Sequence, residues 1–156
     1  MSDQQGISWL NDTEAILRFI KRLIKELPEL KDMVMDLNEG DLLFSQGEPL
    51  EYMYLILEGN ITLTRLQPDK TEEKLITLGS GSFAGLISFT TGEPTLTSGK
   101  ITQKGQALKM RPQQFEQYLN DHPRLKHPLQ QLMLNNMIQR YKSNLRLQTR
   151  THQLSK

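Results

Sequence analysis

The sequence predicts a mainly β domain of the jelly-roll or β-sandwich type, with one helix before it and two helices after it. Between residues 33 and 110, short apolar runs alternate with turns about every 8–12 residues, as in proteins built from many short strands. On either side, apolar residues recur at three- and four-residue spacing, which is typical of helices that bury one face. The predicted strands are 42–44, 52–57, 61–66, 74–78, 97–101 and 107–110.

The first 32 residues form a separate helical segment in this interpretation. Residues 11–14 read Asn-Asp-Thr-Glu, which supplies capping side chains and an acidic first turn. Apolar residues then recur at helical spacing as far as Leu27, and Pro28 ends the pattern. A second short helical turn is expected over residues 30–35, and the β region then spans residues 33–121 together with a short helix.

That short helix opens at Pro112, and we assign the last segment, residues 122–156, to a longer helix. Pro123 is expected to interrupt the helical pattern, so that the long helix begins near His127 and continues toward Leu154. Its apolar stripe has the 4-3-4 spacing of a coiled-coil seam and predicts a homodimer interface. The alternative is packing of this stripe against the chain's own strands. The residues of the seam are Leu134, Ile138, Tyr141 and Leu145.

Composition excludes several classes of function. The 156 residues contain no cysteine, which removes disulfides, thiol catalysis and cysteine-held clusters and favours a cytoplasmic location. No apolar run approaches the roughly 20 residues that cross a bilayer, so we expect no membrane insertion. The three histidines lack partners at metal-ligand spacing, and no nucleophile-elbow or phosphate-loop motif occurs. We therefore expect no enzymatic activity, no catalytic residues and no metal.

The charge is distributed unevenly along the chain. Residues 1–60 contain 12 acidic and 5 basic residues, whereas residues 123–156 contain 7 basic residues and no acidic one. A solvated helix face explains this pattern as well as an anionic partner does. If the long helix pairs with a second copy, its basic residues flank the seam or lie outside it. These residues are Arg140, Lys142, Arg146 and Arg150.

One glycine-rich stretch organises the chain. Residues 78–98 read LGSGSFAGLISFTTGEPTLTS, with three glycines followed by a short apolar segment and Gly92-Glu93-Pro94. Such a turn exposes backbone N–H groups to an anion, or it simply joins two strands. Upstream, residues 37–63 read LNEGDLLFSQGEPLEYMYLILEGNITL, with glycines between short apolar runs.

This framework resembles the cyclic nucleotide-binding domain family, which includes the sensor domains of Crp/Fnr-type regulators. The resemblance covers about residues 37–119 and implies a double-stranded β-helix, or jelly roll. It rests on the glycines at the family's turns: Gly40, Gly47, Gly59, Gly81 and Gly85. It also implies that residues 85–98 match the phosphate-binding cassette, in which a glutamate holds the ribose and an arginine pairs with the cyclic phosphate.

Two residues of this cassette differ from the family pattern. Leu86 stands at the glutamate position and Thr95 at the arginine position. Leucine accepts no hydrogen bond, and threonine offers one hydroxyl where arginine offers a charged fork. Because each charge-assisted contact contributes about 1.5–3 kcal/mol, we expect cyclic nucleotides to bind weakly or not at all. The predicted ligand-binding residues are Gly85, Leu86, Ile87, Ser88, Thr95, Leu96, Thr97 and Ser98.

Three functions agree with these features. The first is a non-enzymatic sensor domain, dimeric and without a cofactor, that binds a neutral or partly apolar molecule or keeps its pocket collapsed. The second is a genuine cAMP or cGMP binder that uses backbone amides and the cassette hydroxyls. The third is the sensor half of a Crp/Fnr-type transcription regulator whose DNA-binding effector lies outside this sequence.

Overall fold

A computed structural model describes residues 13–154, and for residues 87, 89, 90 and 144–154 it describes the backbone alone. The described helices are α1 (Thr13–Glu26), α2 (Pro28–Lys31), α3 (Leu86–Thr91), α4 (Pro112–Asp121) and α5 (Pro123–Leu154). The described strands are β1 (Val34–Leu37), β2 (Leu42–Phe44), β3 (Met53–Leu66), β4 (Glu72–Leu78), β5 (Phe83–Ala84) and β6 (Ser98–Met110).

The strands form one antiparallel sheet in the order β1-β6-β3-β4, with β2 added to β6 and β5 added to β3. Helices precede and follow this sheet, so the predicted mainly β fold with flanking helices is confirmed. The sheet brings β5, and therefore the start of the cassette, beside the first half of β3. Phe83 of β5 is also hydrogen-bonded to Asn136, so β5 contacts both β3 and the long helix.

Two strands are longer than the sequence indicates. β3 and β6 run through as single strands, whereas the sequence predicted two short strands in each. Gly59 and Gly105 explain the difference, because the strands pass so closely that a Cβ on Gly105 would lie 1.9 Å from the carbonyl oxygen of Glu58. The pairing register shifts repeatedly between Ile56 and Ile61. These glycines therefore allow a close crossing within the strands rather than ending them.

The helix boundaries also differ in two places. The turn expected over residues 30–35 is wrong beyond Lys31, because Val34 already begins β1. The long helix begins at Pro123, since proline suits the first helical position, where no backbone donor is needed. Pro128 lies inside the helix, close enough to its start that only one early hydrogen bond is lost.

Two apolar clusters form the core. The first joins α1, α4 and the beginning of α5 to one part of the sheet, and it includes Leu86. The second fills the space between the strands, with Phe44, Tyr54 and Ile101 among its members. Among the described residues, no helix is long and apolar enough to cross a membrane.

Candidate ligand site at the cassette and the long helix

The cassette forms a short helix between two left-handed glycines. Gly85 precedes α3 with φ 83°, and Gly92 follows it with φ 74°. The backbone angle of Gly85 favours glycine, and a Cβ here would also lie 2.2 Å from the Leu50 Cδ2 atom, so the end of the Leu50 side chain would have to move. Glycines at both ends of α3 thus adopt the left-handed backbone conformation that glycine favours.

Leu86 is buried in the core. Its side chain is 1% exposed and belongs to the cluster that joins the helices to the sheet. A glutamate here would put a carboxylate within this apolar cluster, where an isolated charge is strongly unfavourable. The Leu86 side chain therefore contributes an apolar contact at this position and no hydrogen-bond acceptor.

Thr95 is also buried, and its hydroxyl is used locally. Thr95 Oγ1 donates to the carbonyl oxygen of Thr97 at 2.9 Å and accepts from the Thr97 backbone N–H at 3.3 Å. Its backbone is paired as well: the Thr95 carbonyl accepts from Gly47 at 2.7 Å, and its N–H donates to Glu48 at 3.2 Å. The Thr95 hydroxyl is therefore part of a small closed turn.

The remaining predicted ligand residues have different surroundings. Ser88 is buried, whereas Leu96 is 74% exposed. Ser98 Oγ accepts from the Gln46 backbone N–H at 2.9 Å. The side chain of Ile87 lies outside the described part of the structure. Of the predicted residues, Ser98 lines a surface groove of about 610 Å³ together with Ser45, Gln46, Gly47, Thr64, Leu66, Lys70 and Glu72.

The space between the strands holds aromatic rings. The rings of Phe44 and Tyr54 stack with their centroids 6.4 Å apart, and a Cβ on Gly99 would lie 2.6 Å from the Phe44 ring. Burial raises the pKa of the Tyr54 hydroxyl, since an apolar environment disfavours its charged form. These side chains belong to the second apolar cluster, which fills the interior of the strand region.

The long helix supplies polar groups that the sequence interpretation did not identify as site residues. Asn136 Oδ1 accepts from the Phe83 backbone N–H at 2.9 Å, and Asn136 Nδ2 donates to the Gly81 carbonyl at 3.1 Å. Four residues later, Arg140 Nη2 donates to the Phe83 carbonyl. Two side chains one helical turn apart thus hold the segment that leads into the cassette.

Arg140 is a largely buried cation. The sequence places it among the basic residues beside the seam, but its guanidinium packs against Phe83, and its Nε is buried without a hydrogen-bond partner. Burial lowers the pKa of Arg140, because desolvation disfavours its charged form. Within the described residues the ion pairs join Lys21 to Glu58 and Arg65 to Glu73, so neither neutralises Arg140.

Comparison with known proteins identifies the family of this chain. The sequence model of the cyclic nucleotide-binding domain matches residues 34–122. A CRP-like cAMP-activated global transcriptional regulator from Mycobacterium tuberculosis is 25% identical over 95 residues, which is 61% of this chain and 42% of that protein. The chain therefore spans less than half the length of this relative.

Solved structures share the fold. A cyclic nucleotide-binding domain from Methylobacillus flagellatus superposes with a TM-score of 0.65 at 21% identity, covering 78% of this chain and 70% of that one. The regulatory subunit of a cAMP-independent protein kinase A from Trypanosoma brucei superposes with a TM-score of 0.54 at 22% identity, covering 75% and 43%. That structure is a triple mutant bound to cAMP, and its substitutions include threonine to arginine.

Proposed function

The chain belongs to the cyclic nucleotide-binding domain family, and we propose that it is a non-enzymatic ligand-sensing regulatory domain without the usual cyclic nucleotide contacts. It keeps the glycines that shape the cassette, but its two key polar positions hold Leu86 and Thr95. One observation supports this proposal above the others: the Thr95 hydroxyl is bonded within its own turn to Thr97. It therefore replaces neither the charge nor the reach of an arginine.

The Trypanosoma brucei protein supports the same interpretation. That cAMP-independent kinase subunit binds cAMP in a form that carries three substitutions, one of them threonine to arginine. By analogy, we infer that Thr95 contributes to weak binding of cAMP by this chain. This analogy leads to a direct test.

Calorimetry with cAMP tests the proposal on the unmodified chain and on Thr95→Arg. We expect no measurable binding of micromolar cAMP to the unmodified chain. Thr95→Arg should gain about ten- to a hundredfold in affinity, because a charge-assisted contact contributes about 1.5–3 kcal/mol. Leu96→Arg adds the same charge at an exposed neighbouring position and should gain much less.

Micromolar binding by the unmodified chain would overturn the proposal. The domain would then be a true cyclic nucleotide binder that uses the hydroxyls of Ser88, Thr95, Thr97 and Ser98. If Thr95→Arg gains no more affinity than Leu96→Arg, the missing charge is not the cause of the lost binding.

We also propose that the domain forms a homodimer through α5. Leu134, Ile138 and Tyr141 share a face of this helix and are exposed, with Tyr141 65% accessible, and Met137 extends the same surface. The side chain of Leu145 lies outside the described residues. A second copy of the same stripe covers such a surface symmetrically.

Sedimentation at several concentrations tests this assembly. Ile138→Glu should give monomers while the unfolding temperature of the monomer stays nearly unchanged, since a charge in the apolar seam disfavours pairing. Gln139→Glu adds the same charge at an exposed neighbour and should remain dimeric. Rising salt should tighten the dimer, because it screens repulsion between two basic helices over about 10 Å at 0.1 M. A monomeric unmodified chain at high concentration would reject the proposal.

The same proposal includes a cytoplasmic sensor acting on a downstream partner. The similarity to the Mycobacterium tuberculosis regulator favours an effector that reads DNA. Every charged side chain in residues 123–156 is basic, which favours an anionic partner for the long helix. Joining the chain to a reporter DNA-binding domain and measuring operator binding would test the first of these. Operator binding that does not depend on the α5 seam would contradict it.

A further inference from the structure

Among the described residues, no ion pair neutralises the charge of Arg140. Residues 123–156 contain no acidic residue, so its own helix offers no carboxylate. The glycine-rich stretch, residues 78–98, contains a single acidic residue, Glu93, and that side chain is exposed. The described ion pairs use other residues. A cation held in this way is unfavourable unless something else neutralises it.

The contacts of the guanidinium leave donors free. Arginine carries five N–H donors, and Arg140 uses Nη2 on the Phe83 carbonyl while Nε finds no partner. A carboxylate or phosphate accepts from two of these donors at once, in the parallel arrangement that arginine favours. The neutral carbonyl of Phe83 satisfies only one side of that fork.

We propose that Arg140 is the anion-binding residue of this domain and pairs with a carboxylate or phosphate group of the sensed molecule between α5 and the segment that precedes the cassette. The inference rests on the proposed sensor function and adds the chemical class of the ligand. In this arrangement the cation that binds the anion is on the long helix, and the cassette position that the family gives to arginine holds Thr95. The ligand is therefore a small organic anion whose acidic group exchanges with the Phe83 carbonyl on Arg140.

Binding of an anion to Arg140 would also change how α5 contacts the segment before the cassette. Asn136 and Arg140 both hold the Gly81–Phe83 segment, which leads directly into Gly85 and α3. When an anion takes the guanidinium, one of these two attachments is released while the Asn136 amide remains. Ligand binding is then coupled to the contact between the cassette and the dimerising helix.

Binding of small anionic probes to the full-length chain tests the assignment. Pyrophosphate and malonate are titrated at constant ionic strength, with sodium chloride as the compensating salt, and the unfolding temperature is followed. At least one probe should give a saturable stabilisation in the unmodified chain. Arg140→Gln should weaken it about ten- to a hundredfold, as expected for loss of a charge-assisted contact.

Two further variants separate binding from folding. Arg140→Lys keeps the charge without the fork and should bind the probe with intermediate affinity. Arg18→Gln removes an equal charge from an exposed position of α1 and should behave like the unmodified chain. In addition, the side-chain Nε–H nuclear magnetic resonance signal of Arg140 should shift as the probe saturates, which a purely structural arginine would not show.

An equal response in the unmodified chain and Arg140→Gln would overturn the inference, and so would the absence of any saturable response. cAMP is tested in parallel, because it separates this inference from the proposed function. Tight cAMP binding that Arg140→Gln abolishes would refute the proposed loss of cyclic nucleotide contacts while supporting the role of Arg140. Tight cAMP binding that Arg140→Gln leaves intact would count against both.

Discussion

Two parts of α5 turn opposite kinds of side chain toward the rest of the domain. In the first part, Leu125, Leu129 and Leu132 recur at helical spacing and are all buried in the core cluster that joins the helices to the sheet. Beyond residue 133 the pattern inverts. Leu134 and Ile138 are exposed, whereas the side chains of Asn136 and Arg140 pack against the segment before the cassette.

The two parts of α5 therefore place their apolar residues on opposite sides, toward the core in the first part and toward solvent in the second. The first part follows the usual amphipathic rule, in which apolar residues face the core and contribute stability. The second part presents an apolar face outward and a polar face inward, which is unfavourable for an isolated chain. Such an arrangement is expected where both faces have further partners: a second helix for the apolar face, and an anion for the polar one.

The largest expected effect comes from comparing two leucines two positions apart. Leu132 is fully buried and Leu134 is 49% exposed. Leu132→Ala should lower the free energy of unfolding by about 2–5 kcal/mol, because it leaves a cavity in the core. Leu134→Ala should cost no more than about 0.5 kcal/mol in the monomer, as for an ordinary surface position, while weakening the dimer. Urea denaturation under monomeric conditions measures both values.

Similar losses for the two variants would contradict the comparison, since Leu134 would then be part of the core of the single chain. If Leu134→Ala leaves both stability and sedimentation unchanged, the exposed stripe serves neither the monomer nor the dimer.

Much of the fold could be predicted because its signals are local. The α1 periodicity and the strand-like runs between residues 33 and 110 depend on near neighbours in sequence, and the structure has a helix and strands there. The continuous strands β3 and β6 could not be predicted in this way. Gly59 and Gly105 lie far apart in sequence, and a glycine that permits a close crossing has the same local pattern as one that makes a turn.

Part of the candidate site follows from equally local signals. The assignment of Leu86 and Thr95 to ligand-binding positions stays a prediction, and it could be made because the cassette is contiguous and its glycines fix the positions. The closed turn at Thr95 could not be predicted, because it depends on the orientation of one hydroxyl. The sequence shows only that threonines occur at positions 95 and 97, as such a turn allows. Asn136 and Arg140 were missed, since the periodicity of α5 assigns the buried face to the apolar stripe. Only their contacts with Gly81 and Phe83 reveal the inversion.

The smaller effect concerns the polar face itself, at Asn136. Its amide accepts from the Phe83 N–H and donates to the carbonyls of Gly81 and Leu132, so Asn136→Ala leaves the Phe83 donor without its side-chain partner. Loss of a partner for a buried polar group costs about 1–3 kcal/mol, and we expect a value in this range from urea denaturation. Gln139→Ala makes the matching change at an exposed position of the same helix, and its free energy of unfolding should lie within about 0.5 kcal/mol of that of the unmodified chain.

Hydrogen exchange at Phe83 tests the same contact directly, because the Phe83 amide should lose protection in Asn136→Ala and keep it in Gln139→Ala. If exchange at Phe83 is the same in both variants, the segment before the cassette is held by the sheet alone, and α5 cannot transmit a ligand signal through Asn136.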